Sequence, residues 1–329
     1  KICYFDGFAG RGEYSDGSAG SPLLALEAME KVISNTNVRE FNYNCYFIEN
    51  DIDNYNNLQE IIERDKLKFP SVNHIVCEHS DFDTYINKLL DYADEKNLKL
   101  VPSFFFIDPF GYTGVNFNTI KRILKQPKTE IFFNFMIRDI NRFLNLPEQA
   151  KNMNLFFGND SWKSLTIFTG KERQKALRDL YINNLLDQGI AKYAWPFKIC
   201  EDNKRAPLYY LIYATNHFKG FSVMKNIMYN QNEHFAYLGP DEHAYQIAKH
   251  QPKLFNVEIE SLKSFLLSTY NNTSKTYDQI EKETYMSNPC IDKHYRQALL
   301  ELEKEKNVRI QRVTSKKNGL RGDDLVYFR

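Results

Sequence analysis

The chain has 329 residues, with 43 Lys and Arg set against 42 Asp and Glu for a formal net charge of +1. It is 43% hydrophobic, which excludes a disordered chain and supplies enough apolar mass for a large core and two domains. No apolar run approaches the roughly 20 residues of a bilayer span, no signal peptide opens the chain, and the balanced charge by itself names no partner.

The first element is an apolar strand, Ile2–Phe5, which runs into Asp6-Gly7-Phe8-Ala9-Gly10-Arg11-Gly12-Glu13-Tyr14. A helix is expected over Ser21–Ser34. Strand, glycine turn and helix is how an open α/β sheet builds a nucleotide pocket at its carboxyl edge, because glycine lets the backbone approach a ligand. Further strands are expected at Asn44–Ile48, Asn73–Cys77, Ser103–Ile107 and Glu130–Phe135. Helices at Asp51–Lys66, Phe82–Lys96 and Asn116–Lys125 separate them. Near-continuous apolar strands between amphipathic stretches predict a parallel sheet covered on both faces.

The pattern then changes. A helical insertion, about 138–190, reads as a cover over the pocket and contains an amphipathic helix at Lys171–Asp187. Strands at Tyr193–Cys200 and Leu208–Thr215 flank the charged turn Glu201-Asp202-Asn203-Lys204-Arg205 and predict an antiparallel pair closing the sheet. A helix at Phe218–Tyr229 and a polar connection, about 230–256, complete a first domain expected to span 1–256. Residues 257–329 carry helices at Glu258–Thr269, Tyr277–Thr284 and Asp292–Lys306, then a hairpin of Val308–Val313 and Leu325–Phe328. Three helices followed by a basic hairpin is the winged helix-turn-helix plan.

None of the five cysteines, Cys3, Cys45, Cys77, Cys200 and Cys290, belongs to a C-x-x-C pair. The first three fall in expected buried strands. A reducing cytoplasm and no structural metal site are expected. The sequons at Asn271 and Asn272 are read as chance matches.

Four acidic strand ends carry the chemistry. After Asp6, Glu49 ends the second strand; it is read as a ribose ligand rather than a cap, with Asp51 capping the helix. Asp81 follows the third strand, either as an adenine ligand with Phe82 packing on the ring or as a plain N-cap. The fourth strand ends in Asp108-Pro109-Phe110-Gly111-Tyr112. Proline stiffens such a turn. The turn can then aim the Asp108 carboxylate and the Pro109 carbonyl at an exocyclic amine, with Phe110 or Tyr112 stacking on a flipped base.

Together these positions resemble class I S-adenosylmethionine-dependent methyltransferases. Gly7, Gly10 and Gly12 are out of register for the dinucleotide pattern G-x-G-x-x-G, which sets a dehydrogenase aside. The resemblance implies a Rossmann-like α/β domain with a mostly parallel seven-stranded sheet. It also implies S-adenosylmethionine held by Asp6, Gly7, Phe8, Gly10, Gly12, Glu49, Asp81 and Phe82, with the acceptor at Asp108, Pro109 and Phe110.

A closer resemblance, over nearly the whole chain, is to the three-Cys-motif partner proteins. It rests on the first motif, Gly20-Ser21-Pro22, Asp108-Pro109-Phe110-Gly111, Asn134-Phe135-Met136 with Asn141-Arg142, and Ala214-Thr215-Asn216-His217 with Gly220 and Met224. It implies a methyltransferase-like protein with a partner that carries a three-cysteine motif and is related to radical S-adenosylmethionine proteins. Phe110-Gly111 departs from the Pro-aromatic usual in amino-methyltransferases; a similar Asp-Pro-Phe-Gly in tRNA guanine-N2 dimethyltransferases keeps guanine N2 open as a target. The chain begins inside the first strand, so a segment that usually helps cover the cofactor is expected to be missing ahead of it.

Arg138, Asn141 and Arg142 are read either as phosphate or acceptor ligands or as a solvated helix face. His217 and Lys219 are expected at the surface, and Trp162 and Trp195 as packing anchors. In the C-terminal module, Arg309, Arg312, Lys316, Lys317 and Arg321 form a basic wing expected to contact nucleic-acid phosphate, with Lys293, His294, Arg296 and Gln297 opening the recognition helix. Glu301, Glu303, Glu305, Asp323 and Asp324 dilute that charge, and protein docking is the alternative. Three functions follow: a methyltransferase on nucleic acid, a non-catalytic binding module serving a partner, or methylation of a protein or small molecule.

Overall fold

A computed structural model of the chain describes residues 1–36, 42–187, 189–200, 207–232, 235–237, 257–313 and 319–329. The charged turn at 201–205, most of the connection at 230–256, and wing residues Lys316 and Lys317 lie outside the described residues. The chain packs as two compact units, Lys1–His217 and Phe218–Arg329.

In the first unit, β1 (Ile2–Asp6), β2 (Tyr43–Glu49), β3 (His74–His79), β4 (Ser103–Ile107) and β5 (Thr129–Phe135) alternate with α1 (Ser21–Asn35), α2 (Ile52–Asp65), α3 (Phe82–Glu95) and α4 (Phe117–Lys125). Three of these helices start on a side-chain cap: Asp51, Asp81 and Asn116 accept from the backbone N–H of Asn54, Thr84 and Asn118. Each helix buries one stripe. In α3 it is Phe82, Ile86, Leu90 and Ala93, spaced four, four and three residues apart. Leu23, Leu26, Leu58, Ile61 and Ile62 of α1 and α2 pack with Cys45 and Phe47 in one core. The stripes of α3 and α4 pack with Phe105, Phe133 and Phe135 in another. Two separate cores are the mark of a sheet covered on both faces.

These five strands are parallel in the order β3-β2-β1-β4-β5. Next to β5 comes β7 (Pro207–Thr215), antiparallel to β5 and to its own neighbour β6 (Tyr193–Cys200). The fold is therefore α/β with a large, mostly parallel sheet. Among the described residues of the first unit the strand order is β3-β2-β1-β4-β5-β7-β6, and the two-residue β8 (Ala236–Tyr237) belongs to the second unit. Two residues lie below what a pattern of alternating side chains can signal.

The insertion forms α5 (Ile137–Phe143), α6 (Ala150–Phe157) and α7 (Gly170–Asp187). Part of it packs into the core. Tyr181 of α7 is fully buried against Phe133, Phe135, Phe156 and Phe157, with ring centroids 5.1–6.0 Å apart. Asn216 clips the end of β7: its side chain accepts from Lys192 N and donates to the Leu124 and Ile190 carbonyls.

The second unit begins with α8 (Phe218–Gln231), whose buried Lys225 donates to the Tyr285 and Asn288 carbonyls and stands 4.4 Å from the Tyr285 ring centroid. Those contacts tie α8 to the C-terminal helices α9 (Val257–Tyr270), α10 (Tyr277–Thr284) and α11 (Asp292–Lys304). A three-stranded antiparallel sheet completes the unit, with β11 (Leu325–Phe328) between β10 (Val308–Gln311) and β9 (Ser274–Thr276). Asp324, 2% exposed, accepts from Val313 N and Arg321 N and so clamps the base of the β10–β11 connection. Among the described residues no helix is long and apolar enough to cross a membrane.

Candidate functional site at the carboxyl edge of the parallel sheet

Asp6 is the last residue of β1 and sits in register with Phe47 of β2 and Phe106 of β4. Glu49 and Asp108 follow two residues later on those strands. Three carboxylates thus stand at the ends of three adjacent strands, with Asp6 in the middle. Among the described residues no group of three or more His, Cys, Asp or Glu could hold a metal ion.

Asp6 is fully buried. Its Oδ2 accepts from Ser21 Oγ at 2.6 Å and its Oδ1 from Phe8 N at 3.2 Å. Burial pushes its carboxyl up to about 7; those two hydrogen bonds oppose the rise, and the charges of Asp108 and Glu49 add to it. Folded Asp6 therefore holds a proton that the unfolded chain has released once pH passes about 4. The sign follows: this group's contribution to stability is full below the unfolded value and is lost as pH rises towards 7, by on the order of 4 kcal/mol. Asp6→Asn carries no ionisable group, so its melting temperature is expected to change less than the wild type's between pH 4 and 8. Parallel slopes for the two proteins would show that Asp6 does not carry this titration.

Glu49 cross-links the first loop to the end of β2: Oε2 accepts from Gly10 N and Oε1 from Asp51 N, both at 2.7 Å. Neither spacing nor periodicity reveals this double bridge. Carboxylate oxygens carry two lone pairs each, so Glu49 keeps the capacity to accept from ligand hydroxyls. Gly10 and Gly12 take φ of +64° and +84°, and a Cβ at Gly10 would meet nothing within 4 Å. At Gly10 the loop faces open space, as a cradle requires. At Gly12 the opposite holds: a Cβ would touch Leu58 and Ile61. The loop is further pinned by Gly7 N to Phe106 O, Ala9 N to Ile48 O and Gly20 N to Gly12 O.

Asp81 caps α3 through Thr84 N at 2.9 Å and is exposed. Phe82 is 1% exposed and stacks on Phe8 with centroids 5.7 Å apart. The structure thus uses Phe82 as a core ring beneath the first loop. Phe8 lies between that ring and Gly114 of the β4–α4 connection.

Asp108 is half-buried, its carboxyl raised by burial and opposed by a hydrogen bond from Asn134 Nδ2 at 2.5 Å. Pro109 is buried. Gly111 has φ +92° and turns the chain, leaving Phe110 89% exposed while Tyr112 folds inward to donate to Gln149. The acid and the ring expected to receive an acceptor are therefore on one turn, the acid inward and the ring outward.

Several of the remaining expected residues have partners within their own units. Asn141 accepts from Arg173 Nε at 2.7 Å and joins α5 to α7, and the Arg142 guanidinium stands over Phe143. Trp162 is a buried anchor that donates to Asn154. In the second unit, Arg312 makes a double contact with Glu303, and Arg296 binds Asp292 and the Leu320 carbonyl. His294 is buried. Arg309 and Arg321 are exposed, Arg309 over the Tyr327 ring. Cys77, expected to be buried, is half-buried. Three contacts of the site escaped the reading of the sequence: Glu49 on Gly10, Ser21 on Asp6 and Asn134 on Asp108. The one signal for Asn134 was a lone amide in an otherwise apolar strand.

No protein-family profile matches the chain, and no curated protein matches it. Among solved structures it is similar to the methyltransferase domain of bacterial CtHen1-CN, at 11% identity over 65% of this chain and 89% of that one, with a TM-score of 0.32. It is similar also to the methyltransferase domain of bacterial CtHen1-C, at 8% identity over 66% and 90%, with a TM-score of 0.35. Likenesses this distant carry no argument about chemistry.

Proposed function

We propose that the first unit binds S-adenosylmethionine along the carboxyl ends of β1, β2 and β3 and directs its methyl group to an exocyclic amine of a nucleic-acid base at Asp108. The carrying observation is the row of carboxylates Asp6, Glu49 and Asp108 around the open Gly10 turn. That edge favours a positively charged ligand with hydroxyls to donate, which describes a sulfonium nucleoside.

When bound, the cofactor supplies an electrophilic methyl group. The protein's part is positional. Glu49 is placed to accept from ribose, the Gly10 turn to let the cofactor approach the backbone, and Asp108 to accept an N–H of the acceptor and turn its lone pair towards the methyl carbon. Phe110 offers a ring on which a base can stack. The helices and three-stranded sheet of the second unit support its reading as a winged helix that brings nucleic acid to the enzyme, with Arg309 and Arg321 as phosphate contacts. The test is incubation with methyl-labelled cofactor and total cellular nucleic acid, followed by nucleoside mass spectrometry. A methylated base should appear; label confined to protein or small molecules would redirect the acceptor.

A second reading has its own observation. Arg312 and Arg296 are engaged by acids and a carbonyl of their own unit, which lowers what they offer to phosphate. This favours a module that docks a protein, such as a three-cysteine-motif partner, and binds the cofactor without catalysis. Cofactor binding without single-turnover transfer would support it.

A further inference from the structure

Strand β5 reads Ile131-Phe132-Phe133-Asn134-Phe135, and its one amide is 5% exposed. An apolar side chain would suit so buried a position on packing grounds alone. The amide is also only half used. Nδ2 donates to Asp108 Oδ1, but Oδ1 of Asn134 is buried and has no hydrogen-bond partner among the described residues. Turning the amide over would not help, because a carboxylate is acceptor-only and would then face an oxygen. A buried acceptor left unmade is destabilising. Asn134 therefore sits at a local cost in stability, and its one described return is the bond to Asp108.

We propose that Asn134 is a positioning residue: its amide fixes the Asp108 carboxylate in the orientation that receives the acceptor amine. In its catalytic consequence this rests on the reading of Asp108 given above. The bond occupies one carboxylate oxygen and stops the group from rotating, so the other oxygen is presented in one direction. Register places the two side by side, since Ile107 and Phe133, the residues just before them, are paired.

Two variants and three readouts test this. In Asn134→Leu the orphaned oxygen disappears while Asp108 Oδ1 loses its hydrogen bond, two effects that oppose each other, so the melting temperature should stay within a few degrees of the wild type. The Asp108 carboxyl, followed by carbon-13 NMR and assigned with Asp108→Asn, should titrate at higher pH once the amide is gone. Methyl transfer from labelled cofactor to total cellular nucleic acid should fall about a hundredfold in kcat, with KM for the cofactor unchanged. Should the leucine variant not fold, Asn134→Asp replaces it: two facing carboxyls should then titrate in two separated steps. An Asp108 titration unmoved by either substitution overturns the proposal. If the wild type transfers no methyl group at all, the proposed activity fails by itself, while the titration still decides whether Asn134 governs Asp108.

Discussion

Asp108→Ala is expected to lower methyl transfer at least about a thousandfold while cofactor affinity stays within a few-fold of the wild type. In the proposed function Asp108, just past β4, receives the acceptor, whereas the proposed cofactor residues Asp6, Gly10 and Glu49 lie at or beside the ends of β1 and β2. Binding and transfer are therefore separable. The substitution has two side effects that can be measured. It leaves the Asn134 amide with neither group paired, which costs about 1–3 kcal/mol. It also removes one of the charges that hold the Asp6 carboxyl up, so Asp6 should titrate lower. Asp108→Asn, which keeps the shape and loses the charge, controls for the first. Single-turnover transfer and calorimetric cofactor titration, run together, decide the matter. Transfer at the wild-type rate from Asp108→Ala would remove Asp108 from the site.

The parts of this site that were legible in the sequence are those that local rules determine. Strands β1, β2 and β4 are apolar runs that stop at an acid, so Asp6, Glu49 and Asp108 were visible as strand ends. A parallel sheet then brings successive ends to one edge. Helix starts were visible through Asp51, Asp81 and Asn116, because short acceptors cap helices. Contacts set by packing between distant segments were not legible. Glu49 reaches Gly10 across 39 positions and Asn134 reaches Asp108 across 26, and no periodicity encodes either. The insertion reads as a helical segment with one amphipathic helix, and only assembly shows that Tyr181, Phe156 and Phe157 join the core of the sheet. Strand β9, three residues of Ser, Lys and Thr, has no apolar pattern at all; it exists because β11 offers an edge. The basic wing illustrates the converse limit. Counting positive residues shows charge, whereas the structure shows Arg312 already committed to Glu303.

Gly7→Ala should be the most damaging single-methyl change in the first loop, although Gly7 does not require a left-handed backbone. A Cβ there would lie 2.5 Å from Phe82 Cδ2 and 3.0 Å from Cε2. Phe82 has little room to yield: it is 1% exposed, stacks on Phe8 and opens helix α3 just after the Asp81 cap. Inserting a methyl group into such a contact costs about 1–3 kcal/mol, more than the roughly 0.4–1 kcal/mol gained by stiffening the unfolded chain. The expected result is a melting temperature lower by about 2–4 °C for each kcal/mol, in a unit of this size. The functional loss should be larger than the stability loss. Any retreat of Phe82 moves Phe8, and with it the loop that carries Gly10 and its bond to Glu49. Cofactor affinity should therefore fall even at temperatures where the variant is fully folded. Trimming the opposing ring separates the two causes. In the double variant Gly7→Ala with Phe82→Leu, the clash is relieved, so the paired substitutions should cost less than the sum of the single ones. Strict additivity would mean that the Gly7–Phe82 contact does not shape the loop, and the close approach of backbone to ring would lose its role in building the pocket.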